Sequence, residues 1–243
     1  MNNSNFFKEN GFIYLRNFIK LNTVENLNYK IQKEKNHKFA KISDVYNNPF
    51  IENYKRTTLG LYNYNEEDTN AFPIQGDIND TLHNHKALQN KDIEIIKKII
   101  SKAIKNLKLK DYYNWTLRYM TVMIVYPGSP EQEIHYDGNP PSPGTNFDNN
   151  DSLYISIPLH DTPLEFGPTI LYSDKYIKYK KHKKNQGYLY NANESNKKDY
   201  LKARVQEKLN IGDMLIFNHY TLHSSGENKT KKNKKFIFCI IDN

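Results

Sequence analysis

The chain has 243 residues and a formal net charge of +8, with 37% hydrophobic and 13% aromatic residues. That length suits one well-packed domain, this apolar and aromatic content excludes a wholly disordered chain, and a single cysteine, Cys239, excludes a disulfide framework or a Cys-rich zinc site. No apolar run approaches the ~18 residues of a membrane span, and the first residues lack the apolar stretch of a signal peptide, so we expect a soluble, cytoplasmic protein. Only Arg16, Arg56, Arg118 and Arg204 contribute guanidinium groups, and Asn is abundant throughout. The basic balance therefore reads as a bias of the whole chain rather than one nucleic-acid-binding surface.

In chain order, residues 5–19 read as a short helix, a turn at Gly11 and a strand. Residues 21–38 read as a largely solvated helix with Val24, Leu27 and Ile31 at helical spacing. Residues 43–88 are rich in Asn, Asp and Tyr, with a strand at Thr57–Tyr64. The clearest helix is 90–107, where Ile93, Ile96, Ile100, Ala103 and Leu107 form one apolar stripe. From Trp115 the texture changes to short β-rich runs between turns: Leu117–Tyr126, Ile134–Asp137, Leu153–Leu159, Ile170–Tyr172, Met214–Phe217 and Phe236–Ile241. In Leu153–Leu159, Leu and Ile alternate with Tyr154, Ser156 and Pro158, the period of a strand. Many short strands with turn residues between them argue an all-β barrel or jelly roll. Cys239, in an apolar run, reads as a buried inert thiol.

Two places carry chemistry. In an extended segment, alternate residues share a side, so His135 and Asp137 present an imidazole and a carboxylate together, with Tyr136 turned away. A second histidine, His223, follows Gly212-Asp213 and a strand and precedes Ser224-Ser225-Gly226-Glu227-Asn228. Two histidines and one carboxylate on one face of a metal, with the opposite face open, form the facial triad of non-haem Fe(II) oxygenases. His219 competes with His223, since an i, i+4 pair shares a helix face, but the preceding residues read as strand and His219 as a loop residue. His160 reads as a polar strand end.

These words and their spacing resemble the phytanoyl-CoA dioxygenase-like branch of the Fe(II)/2-oxoglutarate-dependent oxygenases, over roughly residues 115–243 with a weaker echo at Phe6–Ile19. The resemblance implies a mainly β fold with flanking helices: a double-stranded β-helix (jelly roll, cupin-like) core at 115–243 and an N-terminal helical layer at 1–114, together one domain over 1–243. It implies Fe(II) held by His135, Asp137 and His223, with 2-oxoglutarate and O2 as co-substrates. The family's usual anchor for the far carboxylate of 2-oxoglutarate is an Arg eleven residues after the second histidine. Counting here reaches Lys234, with Lys235 as the alternative, a point charge where the family has a fork. Ser225 matches a position that shares this carboxylate, and Tyr126 and Arg118 are further candidates on the strand entering the site. After Gly167-Pro168-Thr169 the family commonly continues to Pro-Gly-Ser-His, where this chain has Tyr172-Ser173-Asp174-Lys175. An Asp at 137, rather than the small residue of halogenating relatives, implies hydroxylation or a related oxidation. The implied activity is a dioxygenase that hydroxylates an unactivated C–H of a small molecule and releases succinate and CO2. The second reading is a non-catalytic β-barrel binding module that holds nucleic acid or another anion through a basic face that includes Lys175, Lys178, Lys180, Lys181, Lys183 and Lys184.

Overall fold

A computed structural model describes residues 2–33, 88, 90–135, 152–176 and 200–243 with their side chains, and 40–41, 56–63 and 197–199 as backbone. Helix α1 (Asn3–Asn10) starts where the side chain of Asn2 accepts the N–H of Asn5, and it ends at Gly11, whose left-handed φ of 80° closes the cap. Strand β1 (Phe12–Leu15) follows, then helix α2 (Leu21–Lys33), strands β2 (Ala40–Lys41) and β3 (Arg56–Asn63), and helix α3 (Asn90–Leu107). The β-rich half contains β4 (Thr116–Val125), β5 (Ser152–Pro158), β6 (Thr169–Tyr172), helix α4 (Lys197–Ala203), β7 (Arg204–Gln206), β8 (Met214–Asn218), β9 (His223–Ser225) and β10 (Lys234–Asp242).

The strands form two antiparallel sheets, a seven-stranded one in the order β1-β8-β5-β10-β4-β3-β2 and a three-stranded one in the order β7-β6-β9. His135 adds a rung to the free side of β9: the two N–H groups and carbonyls of His135 and His223 exchange hydrogen bonds at 2.9 and 3.0 Å. The expected strand at 134–137 is thus described only at its start.

Strand alternation sorts the side chains into three layers. Ile13, Ile155, Ile157, Ile216, Ile237 and Cys239 point out of the back of the large sheet and meet the apolar stripes of α2 (Val24, Leu27, Ile31) and α3 (Ile96, Ile100, Ala103, Leu107). Phe12, Tyr154, Leu215, Phe217 and Ile240 point forward and meet Leu171 of the small sheet. Ile170, Tyr172 and Leu222 cover the far side of the small sheet together with Tyr200 and Ala203 of α4. Because both faces of the large sheet are covered, every residue of β5 is buried, although its sequence alternates. Each fully buried Ile or Leu contributes about 1.5–3 kcal/mol of transfer free energy.

Several boundaries differ from the sequence reading. Helix α2 is described over Leu21–Lys33, and the remainder of the expected helix, residues 34–38, lies outside the described residues. β10 starts at Lys234, two residues before the apolar run, because main-chain pairing with Val125 of β4 extends the ladder past the last apolar side chain. β9 reads as a turn in sequence but pairs with β6 as a strand. Helix α4, in a Lys- and Asn-rich stretch, carries no apolar periodicity and is not legible. No described helix is long and apolar enough to cross a membrane.

Candidate metal and co-substrate site

Antiparallel pairing fixes where the candidate residues meet. His223 stands opposite both His135 and Leu171, so the two imidazoles share the face of the small sheet that looks at the large one. Their ring centroids are 4.5 Å apart, and His223 lies 4.9 Å from the ring of Phe217. Each ring has its Nδ1 against a backbone carbonyl two residues earlier, Glu133 at 2.7 Å for His135 and Thr221 at 2.9 Å for His223. A carbonyl accepts only, so both Nδ1 atoms carry the proton and both Nε2 atoms carry the lone pair, the tautomer that a metal requires. Two imidazoles bound at ~2.1 Å to one ion at a right angle would have centroids about 4.6 Å apart, so the donor pair fits a single ion. Asp137 lies outside the described residues, and among the described residues no group of three metal-ligating side chains occurs.

Ser225 is two residues beyond His223 on the same face, about 7 Å along the strand. Its Oγ accepts from Nζ of Lys234 at 2.7 Å, and the same Nζ donates to the carbonyl of Gly167. Lys234 is 3% exposed, with its ammonium 5.6 Å from the centre of the Phe236 ring. Lys235 points the other way, and its N–H donates to Nε2 of His160 at 3.0 Å, so the strand's alternation separates the two lysines. A carboxylate arriving beside Lys234 and Ser225 gains charge-assisted hydrogen bonds away from water.

Three features that the sequence reading did not assign a role hold this arrangement. The carbonyl that accepts from Lys234 is placed by Gly167, left-handed at φ 64° and packed so tightly on the backbone of Gly226 that a Cβ there would lie 2.2 Å from the Gly226 oxygen. Gln132 uses Oε1 to accept the N–H of Ser225 at 3.0 Å, and its own N–H donates to the Ser225 carbonyl at 2.9 Å. Asn228, fully buried, donates to the carbonyls of Val125 and Lys232 and exchanges main-chain bonds with Gly128 and Ser129. It thereby stitches the end of β4, the approach to His135 and the turn into β10 to one another. Asn228 is visible as part of a sequence word, whereas nothing local marks Gln132.

Two candidates are not brought to this place. Tyr126 follows Val125, the partner of Lys234, but its side chain packs with the helix-facing cluster behind the large sheet. Arg118 is near the start of β4, where it ion-pairs with Asp242 at 2.7 Å. Asp242 and Lys234 are the two ends of β10, roughly 26 Å apart along the strand, and this excludes Arg118 from the Lys234 pocket. His219 is buried at the end of β8 with its Nδ1 3.1 Å from both the N and O of Ser152, a loop-tethering role. Asp213, in the word before β8, accepts from Arg16 and from the main chain of Asn17 and Asn210, so it braces the chain after β1. Of the lysine run, Lys175 is described and bound to Glu9 at 2.6 Å; Lys178, Lys180, Lys181, Lys183 and Lys184 lie outside the described residues. A surface cleft of about 650 Å3 between Arg16, Leu164, Glu207 and Lys208 is separate from the histidines.

Comparison with known proteins gives a family and a fold. The family described as phytanoyl-CoA dioxygenase (PhyH) matches residues 7–236. Among curated proteins, no sequence matches. Similar solved structures include the epimerase SnoN in complex with Fe3+, alpha-ketoglutarate and nogalamycin RO, at a TM-score of 0.60 and 11% identity over 99% of this chain and 82% of that one. AviO1 from Streptomyces viridochromogenes has a TM-score of 0.55 at 12% identity, covering 99% and 93% of the two chains. HygX from Streptomyces hygroscopicus, with nickel and 2-oxoglutarate bound, has 0.56 at 8% identity, covering 97% and 84%.

Proposed function

The chain belongs to the phytanoyl-CoA dioxygenase family, and on that premise we propose that it is an Fe(II)- and 2-oxoglutarate-dependent dioxygenase that hydroxylates an unactivated C–H of a small molecule. The reading takes the two facing sheets as a double-stranded β-helix and the whole chain as one domain. The observation that carries it is the convergence, on one inward face, of two histidines of matched tautomer with a buried lysine–serine pair two residues further along.

His135, His223 and Asp137 would hold iron, and Lys234 and Ser225 would take the far carboxylate of 2-oxoglutarate. When bound, iron and co-substrate supply the oxidising chemistry, which consumes O2 and releases succinate and CO2. The chain's own part begins with the carbonyls of Glu133 and Thr221, which keep protons on Nδ1 and leave Nε2 basic toward the ion. Lys234, clamped by the Gly167 carbonyl and Ser225, holds its charge at a set distance from the histidines, so a five-carbon diacid is oriented end to end. Phe12, Tyr154, Phe217 and Phe238 wall this space with aromatic rings and exclude water from the reacting atoms. Anaerobic titration with Fe(II) and then 2-oxoglutarate tests the reading through the visible charge-transfer band. A band in the wild type that is lost in His135→Ala and His223→Ala is expected; folded wild-type protein with no band overturns the proposal.

A further inference from the structure

Removing Arg118 from the Lys234 pocket leaves it a different place. His223 stands at the beginning of β9, and Ser225, at its end, meets Lys234 on the side where β10 begins. The histidines are therefore displaced from Lys234 toward the end at which β10 terminates, β4 and β5 begin and β8 ends. Along the forward face of the large sheet, Ile240, Tyr154 and Phe217 stand in one rung, and Phe217 touches His223. One rung further, about 7 Å on, β10 and β5 present Asp242 and Ser152 opposite each other.

That rung is polar. Asp242 accepts from Ser152 Oγ through Oδ1 at 2.6 Å and from Arg118 Nε through Oδ2 at 2.7 Å, and the main chain of Ser152 holds His219. The β4–β10 register slips between Ile240 and Ile241: Ile240 faces Tyr119 and Ile241 faces Leu117, which leaves Arg118 as the extra residue of a bulge. Bulges re-aim side chains next to active sites, and this one turns Arg118 to Asp242. With both carboxylate oxygens of Asp242 engaged, the aspartate fixes the guanidinium by its Nε edge and leaves the two terminal nitrogens, in a planar fork, as its remaining donors. Arg118 is 31% exposed and Asp242 22%, so the fork is reachable.

We propose that Arg118, oriented by Asp242, is the specificity-determining residue for a small-molecule substrate bearing a carboxylate, which it holds on the histidine side away from Lys234. This rests on the oxygenase reading above and names the substrate class for the same site. A monoanion is favoured over a phosphate dianion because Asp242 already places a negative charge beside the fork, while the net charge of +8 draws anions toward the protein.

The test uses the full chain loaded anaerobically with Fe(II) and saturating 2-oxoglutarate, and adds matched pairs of small carboxylic acids and their primary amides. Acids that shift the charge-transfer band, or that stimulate succinate release once air is admitted, with amides inert, are the expected result. Arg118→Gln is expected to weaken that response about tenfold or more while the Kd of 2-oxoglutarate stays within about twofold; Asp242→Asn weakens it less, and Arg118→Lys keeps part of it. Equal responses to acids and amides, no response to any acid, or an unchanged response in Arg118→Gln overturns the inference. So does an Arg118→Gln protein whose 2-oxoglutarate Kd rises as steeply. Thermal unfolding of each variant separates these effects from misfolding, with Arg118→Lys as the conservative control. A wild type without a band overturns the oxygenase reading itself, and the inference with it, whereas a normal band with indifferent acids overturns the inference alone.

Discussion

Lys234 is the residue whose environment is least ordinary: an ammonium 3% exposed, clamped by a carbonyl and a hydroxyl between two sheets. Replacing it with Ala removes a charge-assisted contact to the proposed co-substrate, and such contacts contribute about 1.5–3 kcal/mol. The Kd of 2-oxoglutarate, measured by titrating the charge-transfer band, should rise roughly 10- to 150-fold with iron affinity retained. Gly167→Ala acts on the same clamp from its other side. The new Cβ meets the Gly226 oxygen at 2.2 Å in a left-handed backbone, so a loss of about 2 kcal/mol or more in denaturant unfolding and a weaker co-substrate Kd should appear together. At Cys239, complete burial pushes the thiol pKa far up. Ellman's reagent should therefore leave the native protein unmodified and react with one thiol only after denaturation; rapid reaction of native protein would contradict the described core.

At the scale of elements, helix α3 and β10 show how the site is supported from behind. The stripe Ile96, Ile100, Ala103 and Leu107 presses on the back of the sheet whose front carries Lys234, Phe236 and Phe238. Ile100→Ala should cost about 2–5 kcal/mol in urea unfolding while leaving the spectroscopic signature of the folded, loaded protein intact. Asn228 belongs to this scale too, because it joins the end of β4, the turn before His135 and the turn before Lys234. Asn228→Ala strands the carbonyls of Val125 and Lys232, for roughly 2–4 kcal/mol, and should weaken both metal and co-substrate binding, unlike Ile100→Ala. The second sheet is extended at His135 by its pairing with His223, so the proposed metal site is also a strand pairing. Binding and local order are coupled there.

For the whole molecule, this coupling predicts stabilisation by ligand. Mn(II) and 2-oxoglutarate at about 100 times their Kd should each add ~2.7 kcal/mol, and at ~2–4 °C per kcal/mol for a chain of this size Tm should rise by about 5–11 °C for each. Differential scanning fluorimetry, at the same ligand concentrations, should show that Lys234→Ala keeps the metal increment and loses about half or more of the co-substrate increment, while His223→Ala loses both. Equal shifts in all three proteins would mean that the ligands bind elsewhere.

By itself, the sequence determined what local chemistry encodes: the α3 stripe, the alternation of β5, the Gly11 cap, and a His-x-Asp and second histidine whose flanking words carry the family. Those features depend on residues within one turn or one strand, so they survive without knowledge of partners. Only the tertiary structure placed Lys234 rather than Lys235 beside Ser225 and Gly167, because the two differ by one step of a two-residue period and so by which face of β10 they occupy. It alone set Arg118 and Tyr126 apart from Lys234, because their positions follow from strand register and a bulge rather than from their neighbours in sequence. Gln132, the Gly167–Gly226 contact and the Asn228 stitch were equally hidden, since each joins segments that are distant along the chain and meet only when the two sheets close on one another.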